Sequence, residues 1–249
     1  MEIKTPLRQA LEQYIAQDWS RLHMPGHKGA PIEPFGTLMQ YDLTEVEGTD
    51  SLFEDEGPLR ELEQIFTDLY QTKGTVMSAG GSTLCIQAMM RLVAKKDGII
   101  VAGRNIHAAA VNAMALLGLE PVWVYPRRSA EERLIGKIEP KQVERELEEL
   151  ERQGKLDSVC AVYVTSPDYF GVMSDIAGIA RVAHSRGIPL LVDNAHGAHL
   201  HFLEEPLHPM QLGADLCCDS LHKTLPALTG AALLHSAREE YLPFLKSAM

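Results

Sequence analysis

Two segments near the start of the chain place apolar residues at helical spacing. The first follows Thr5 and Pro6, which are typical of a helix N-cap and first helical residue. The second begins at Pro58 and repeats leucine, isoleucine and phenylalanine on one face. Between them lie a loop dense in glycine and proline, HMPGHKGAPIEPFG, and an irregular, acidic stretch over 31–56. We therefore expect an N-terminal helix and irregular arm over 1–56, and a second domain over 57–249.

From residue 74 onward, short apolar runs alternate with longer helical segments. Helices are predicted in LCIQAMMRLVA, HAAAVNAMALLG, PKQVERELEELERQG and DIAGIARVAHSRG. Strands are predicted in GTVMS, GIIVAG, PVWVYP, SVCAVYVTSP, PLLVD, ADLCCDS and GAALLHS. Several of these strands are continuous apolar runs, which is typical of strands buried on both faces of a parallel or mixed sheet. The alternation predicts a layered α/β fold.

Composition and charge narrow the classes of partner. The 249 residues are 45% hydrophobic and 23% charged, as in an ordinary globular protein, and the net charge is −11. Because phosphate binding needs a basic face, the acidic excess argues against nucleic acid as the main partner. No apolar run approaches the ~20 residues of a membrane helix, and the polar start is unlike a secretory signal.

The four cysteines indicate whether the protein lies in a reducing or an oxidising compartment. Cys85, Cys160, Cys217 and Cys218 lie in apolar contexts and show no CxxC spacing. Free buried thiols are typical of a reducing compartment, so we expect a cytoplasmic protein.

Candidate chemistry gathers after the predicted strands, where open α/β sheets bind ligands. After the first strand, Gly81 allows close backbone approach, and Ser82 and Thr83 open a helix whose N-terminus favours an anion. The spacing is neither a P-loop nor a GxGxxG fingerprint, and a plain strand-to-helix turn is the alternative. His107 begins a later helix, where a capping or surface histidine is the alternative.

Two further strand ends carry ionisable groups in apolar surroundings. Asp193 directly follows PLLV, and a buried carboxylate is costly unless it is paired. Ser220, His222 and Lys223 follow another apolar strand. Burial would lower the pKa of the lysine, and a neutral amine attacks carbonyls to form Schiff bases. An ordinary strand-end aspartate and a lysine that extends into solvent are the alternatives.

These groups together match the needs of one cofactor, pyridoxal phosphate. That cofactor requires a lysine for its aldehyde and a phosphate site at a helix N-terminus. It also requires an acid for its pyridine nitrogen and a flat side chain over its ring. The conjunction of these groups at strand ends is more specific than any one of them.

The sequence resembles the pyridoxal-phosphate-dependent ornithine/lysine/arginine decarboxylases with the aspartate-aminotransferase fold, fold type I. The matching segments run in order along essentially the whole chain: HMPGHKG, DLTEVEGTDSLFEDEGPL, GGSTLCIQA, GRNIHAAA, VTSPDYFGV, DNAHGAHLHF and DSLHKTLPALTG. The resemblance implies a three-layer, mostly parallel sheet in a cofactor-binding large domain over 57–249, and a homodimer or higher homo-oligomer. It also implies further strands and a C-terminal domain. SAREEYLPFLKSAM opens like a new helix and then ends, so the sequence is expected to be a piece of a longer chain.

The resemblance implies a role for each residue that surrounds the reacting groups. Lys223 would hold the cofactor as a Schiff base, Asp193 would pair with the ring nitrogen, and His107 would stack on the ring. His196 and His222 would lie near the ring or the substrate, with His222 as the candidate proton donor.

The phosphate and the substrate follow from the same resemblance. Ser82, Thr83 and Ser220 would bind the phosphate with help from the backbone N–H of Gly81. The substrate would be arginine, lysine or ornithine, with arginine or lysine slightly preferred, and the amine product would enter polyamine biosynthesis. The residues that read the far end of the substrate are not identifiable from the sequence.

Two departures from the family pattern keep other readings open. Asn194 stands where an Asp-Glu-Ala-His segment is expected to carry glutamate. The chain ends early for the family, so the isolated chain is expected to be weakly active or inactive. Transamination or elimination with the same cofactor is one alternative, and a non-catalytic fragment or partner is another. The histidines of HGAHLHF lack HExxH spacing, and no metal site is expected there.

Overall fold

The computed structural model describes residues 4–54, 56–126 and 135–249, and the chain divides into two compact units, 1–69 and 70–249. The first unit ends within a helix over Pro58–Tyr70, and the two domains expected over 1–56 and 57–249 stay a prediction. The Asp50 carboxylate accepts hydrogen bonds from the backbone N–H groups of Gly57 and Leu59, which ties the start of this helix to the preceding acidic segment.

The first unit is mostly irregular. It contains helix α1 (Pro6–Ala16), a short 3-10 helix (Thr37–Tyr41) and helix α2 (Pro58–Tyr70), which runs to the boundary. Both helices begin at the prolines that the sequence indicated. None of the described helices combines the length and the apolar character that a membrane span requires.

The second unit alternates strands with helices, as expected from the sequence. Its strands are β1 (Gly74–Ser78), β2 (Ile99–Gly103), β3 (Glu120–Val124), β4 (Val159–Thr165), β5 (Leu190–Asp193), β6 (Leu216–Ser220) and β7 (Ala232–Ser236). Its helices are α3 (Gly81–Val93), α4 (Ala108–Leu117), α5 (Pro140–Arg152), α6 (Ile176–His184), α7 (Leu221–Thr224) and α8 (Leu245–Ala248).

The seven strands form one sheet in the order β1-β7-β6-β5-β4-β2-β3. Strand β7 is antiparallel to both neighbours, β1 and β6, and every other pair is parallel. Strands β1 and β6 therefore point the same way. The carboxyl ends of β1, β2, β4, β5 and β6 all meet at one edge of the sheet, which is where ligands bind in such folds.

Helices cover both faces of this sheet, which gives the expected three layers. Helices α3, α4 and α8 pack on one face, over strand residues such as Ile100 and Ala102. Helices α5 and α6 pack on the other, over the alternate residues Ile99 and Val101. Strands buried on both sides have no polar face, which explains why they are continuous apolar runs in the sequence.

Candidate active site

A cavity of about 390 Å³ opens at the edge of the sheet where the parallel strands end. Its lining comes from helix α3 and from the segments that follow β2, β4, β5 and β6: Ser82, Ile86, Asn105, Ile106, His107, Thr165, Tyr169, Asp193, Ala195, His196 and Lys223. The cavity thus brings together Ser82, His107, Asp193, His196 and Lys223, all of which the sequence indicated.

Lys223 lies on the one-turn helix α7 directly after β6, and its Nζ is 3.3 Å from Nε2 of His196. The lysine side chain is exposed, so the expectation that an apolar setting buries it is wrong. The reason is that the apolar run after it, 225–228, is itself largely exposed. Burial lowers the pKa of His196, and the nearby charge of Lys223 lowers it further. A neutral His196 can therefore accept a hydrogen bond from the lysine ammonium through Nε2.

Asp193 ends strand β5 with 1% of its surface exposed. The Thr165 hydroxyl donates to its Oδ2 at 3.2 Å, and the backbone N–H of Ala195 donates to its Oδ1 at 3.1 Å. The thiol of Cys218 lies 3.7 Å from the same Oδ1. No salt bridge of the described chain includes Asp193. A buried carboxylate with donors but no cation among the described residues is suited to a cationic group in the cavity.

His107 is the N-cap of α4 and also lines the cavity. Its Nδ1 accepts a hydrogen bond from the backbone N–H of Ala109 at 3.1 Å. The neutral ring must then carry its proton on Nε2. The capping role that the sequence offered as an alternative is thus present together with the position at the cavity.

The start of helix α3 differs in one respect from the expectation. Gly81 has φ +70°, which favours glycine, and its N–H donates to the carbonyl of Gly230 at 2.9 Å. This N–H is therefore not available to a phosphate. Ser82 lines the cavity, whereas the exposed Thr83 does not, and no side chain caps the helix.

Ser220 and His222 lie behind the cavity lining. Ser220 is fully buried, and its Oγ is 3.4 Å from Nδ1 of His222. The same Nδ1 accepts a hydrogen bond from the backbone N–H of Gly230 at 3.3 Å. One nitrogen of His222 is thus engaged in holding the loop that returns to Gly230, and neither residue contributes to the lining.

The sequence reasoning missed several polar groups at and beneath the site. Thr165 and Asn105 line the cavity. Beneath it, the fully buried carboxylate of Asp219 is surrounded by His208 and His235. A signal for Asp219 was present, because an acidic residue in the apolar strand LCCDS needs a buried partner just as Asp193 does.

The residues present fit pyridoxal phosphate. The cavity volume lies within the range of about 300–1,000 Å³ that is common for small-molecule sites. Asp193 is a buried carboxylate that no cation of the described chain neutralises. The Oδ1 of Asn105 is buried at the cavity without a hydrogen-bond partner among the described residues, so it can accept one from a ligand. The amine of Lys223 extends into the same space.

Comparison with known proteins gives a consistent assignment. Residues 5–246 match the family model described as "Orn/Lys/Arg decarboxylase, major domain". The chain is 31% identical over 241 residues to the arginine decarboxylase of Bacillus subtilis (strain 168), with 93% of this chain and 48% of that protein covered. It is 30% identical over 243 residues to the arginine decarboxylase of Bacillus cereus, with 94% and 51% covered. The chain therefore spans about half the length of the curated relatives it matches.

Among solved structures, the fold resembles that of the lysine decarboxylase LdcF of Francisella novicida, with a TM-score of 0.89 and 20% identity. The superposition covers 99% of this chain and 37% of that one. At this identity the likeness establishes the fold alone, which is the fold type I architecture that the sequence resemblance implied. The match over residues 5–246 establishes more: the chain belongs to the Orn/Lys/Arg decarboxylase family, as its major domain.

Proposed function

We propose that this chain carries the pyridoxal-phosphate site of a decarboxylase that converts arginine, lysine or ornithine to its amine and CO2. The observation that carries the proposal is that a buried Asp193 and the amine of Lys223 line the same cavity at the strand ends. The arginine decarboxylases among the curated relatives support a basic amino acid as the substrate class.

Each cavity residue would have a defined task. Lys223 would hold the cofactor's aldehyde through Nζ, and Asp193 would keep a proton on the ring nitrogen by its negative charge. The ring of His107 would lie against the cofactor. When bound, the cofactor supplies a sink for the electron pair that stays on Cα as the carboxylate leaves as CO2.

His196 is the group best suited to exchange protons with Lys223. An ammonium cannot attack a carbonyl, so Nζ must lose a proton first. The Nε2 of His196 lies 3.3 Å from Nζ, and the lowered pKa of His196 keeps this nitrogen an acceptor at neutral pH. Decarboxylation also consumes one proton at Cα. With one nitrogen of His222 engaged behind the lining, His196 replaces it as our candidate for handling that proton.

For the phosphate, Ser82 and Thr83 at the start of α3 remain the proposed ligands. The first turn of α3 lacks a side-chain cap, and the free N–H groups of a helix N-terminus attract anions. The N–H of Gly81 does not serve the phosphate, because it donates to the carbonyl of Gly230. The buried Ser220 would support the phosphate site indirectly, through its contact with His222.

We further propose that the protein is a cytoplasmic homo-oligomer. Tyr169 lines the cavity and is 81% exposed, and the neighbouring Phe170 is 62% exposed. Large aromatic side chains at a cavity are suited to cover by a second copy. The four cysteines are free and buried, which supports a reducing compartment. Sedimentation velocity of the chain and of a Phe170→Ser variant tests the proposed homo-oligomer. A monomeric parent chain contradicts that proposal.

The test of the main proposal is an absorption spectrum of the purified chain with pyridoxal phosphate. We expect a visible band that survives dialysis, is absent in Lys223→Ala, and is present in Lys141→Ala, which removes an exposed lysine from α5. Borohydride reduction and peptide mapping should then label Lys223. Incubation with arginine, lysine and ornithine should release CO2 and an amine from at least one of them, at the low rate expected of a chain that spans about half the length of its relatives. No band in the parent, or an equal band in Lys223→Ala, contradicts the proposal.

A further inference from the structure

A second buried carboxylate lies outside the cavity, on the strand that leads to Lys223. Asp219 is fully buried, one position before the end of β6. Its neighbours include Asn194, His208 and His235, and the thiol of Cys217 lies 4.0 Å from its Oδ1. Asn194 Nδ2 donates to Oδ1 at 2.6 Å, while the Nε2 atoms of His208 and His235 lie 3.0 Å and 3.3 Å from Oδ2. The catalytic roles proposed above use none of these groups.

The protonation of His208 indicates that the cluster of Asp219, Asn194, His208 and His235 is a hydrogen-bond network and not a metal site. The Nδ1 of His208 accepts a hydrogen bond from the backbone N–H of Met210 at 3.3 Å, so the ring proton lies on Nε2 and points at Asp219. A histidine that binds a metal through Nε2 instead donates its Nδ1 proton to a neighbour. The ligand atoms of His208, Cys217 and Asp219 lie within 4.8 Å of one another, but this protonation disfavours a metal ion there.

The cluster keeps Asp219 ionised. Burial alone would raise the pKa of this carboxyl, but attraction to His208 and hydrogen bonds from His208 and His235 outweigh burial and hold the pKa well below its ordinary range. Burial lowers the pKa of His235, which therefore stays neutral and donates. A charged acceptor makes each of these hydrogen bonds stronger than one between neutral groups.

Through Asn194, Asp219 reaches the turn that carries His196 into the cavity. Asn194 is fully buried directly after Asp193, and its carbonyl accepts a hydrogen bond from the N–H of Gly197 at 2.8 Å. The turn is tight, because a Cβ at Gly197 would collide with the Oδ1 of Asn194. Fixing the amide of Asn194 therefore fixes the start of the turn on which His196 lies.

Through the main chain, Asp219 also reaches the lysine. Strand β6 ends at Ser220, and α7 begins at once with Leu221 and carries Lys223. One carboxylate is thus joined covalently to the segment of the lysine and by hydrogen bond to the segment of His196. Asn194 is explained by the same contact: a glutamate at position 194 would face Asp219 with a second negative charge in a buried site.

We propose that the ionised Asp219 is a positioning residue that holds His196 against Lys223, acting through the amide of Asn194. The role of that pair rests on the function proposed above, but the geometry of the pair does not depend on a bound cofactor. Asp219 is not among the residues that line the cavity, so its effect must reach the cavity through the turn and the strand end.

The first test measures the pair itself, in the chain without cofactor. The titration of His196 is followed by NMR, with its signal assigned from His196→Gln. In the parent, His196 should titrate below an ordinary histidine, because it is partly buried beside a cationic lysine. In Asp219→Asn, which keeps the shape and removes the charge, its pKa should move back toward about 6.5. The matched control is Asp215→Asn, since Asp215 is also buried and precedes the opposite end of the same strand.

The second test uses the cofactor and a rescue. Asp219→Asn should bind pyridoxal phosphate at least about tenfold more weakly than the parent, the effect expected for losing a charge-assisted hydrogen bond. Asp215→Asn should lose comparable thermal stability and keep its cofactor affinity. Asn194→Asp places two carboxylates in contact, so its binding should recover as the pH falls and one of them takes a proton.

The outcomes separate the two proposals. If His196 titrates identically in the parent and in Asp219→Asn, this inference is wrong whatever the cofactor does. If Asp215→Asn shifts His196 as much as Asp219→Asn does, the effect is general loosening and the inference is again wrong. If the His196 shift is specific to Asp219 but the parent forms no adduct at Lys223, the positioning role stands and the proposed function fails.

Discussion

Replacing Thr165 by valine removes one hydrogen bond from the carboxylate of Asp193 with little change of shape. The Thr165 hydroxyl is the donor to Oδ2 at 3.2 Å, whereas the other two contacts of this carboxylate go to Oδ1. Both residues are buried, with exposures of 6% and 1%, so water does not readily replace the lost donor. The substitution leaves Oδ2 without its hydrogen-bond donor.

The expected loss of stability follows from the charge and the burial of the Asp193 carboxylate. A hydrogen bond to a charged group contributes about 1.5–3 kcal/mol, and the cost of an unsatisfied buried acceptor lies in the same range. We therefore expect the free energy of unfolding of Thr165→Val to fall by about 1.5–3 kcal/mol, a large share of the 5–15 kcal/mol typical of a domain. Because Thr165 also lines the cavity, binding of pyridoxal phosphate should weaken as well.

Urea unfolding followed by circular dichroism measures the first effect, and absorbance titration with the cofactor measures the second. Thr165→Ser is the matched control, because it keeps the hydroxyl and removes only a methyl group. The reasoning is refuted if valine leaves the unfolding midpoint unchanged at an equal m-value, or if serine costs as much as valine.

Three other predictions follow from features of the second unit. Gly118→Ala should cost about 1–2 kcal/mol in urea unfolding, since Gly118 ends α4 at φ +66° with open space around it; an unchanged midpoint contradicts this. The free energy of unfolding should fall as the pH drops below about 6.5. Burial lowers the pKa of His235 in the folded chain, so this imidazole takes up a proton in the unfolded chain first. His235→Gln should flatten this pH dependence in unfolding curves measured at several pH values. Burial raises the pKa of Cys85 to about 12 and the pKa values of Cys217 and Cys218 well above the ordinary value. These thiols should therefore react with a disulfide reagent in urea and not in the native chain. Rapid labelling of any of them in the native chain contradicts their burial.

The layered fold and much of the site follow from local features of the sequence. Continuous apolar runs mark strands covered on both faces, and each chemical candidate stands directly after such a run. That rule identified Asp193 and Lys223 because parallel strands end at one edge of the sheet. It depends only on residues adjacent in sequence, so it places both residues at one edge of the sheet without tertiary information.

Partners distant in sequence could not be predicted in this way. The cost of a buried charge points to a partner for Asp219, but not to His208 on a 3-10 helix or to His235 on the neighbouring strand. The exposure of Lys223 was likewise hidden, because an apolar run after it reads as core although it lies at the surface.

The position of β7 has a consequence for how the chain is made. It is the last of the seven described strands along the chain, yet it pairs with β1, the first, on one side and with β6 on the other. At about 5–20 residues per second, β1 waits on the order of 10 s for its partner to leave the ribosome. Throughout that interval β1 presents an open hydrogen-bonding edge to other chains, and β6 does so from its own synthesis until β7 follows. The nascent polypeptide therefore depends on chaperones or on slow, late closure of the sheet, and crowded expression at high temperature should trap it as aggregates before β7 arrives.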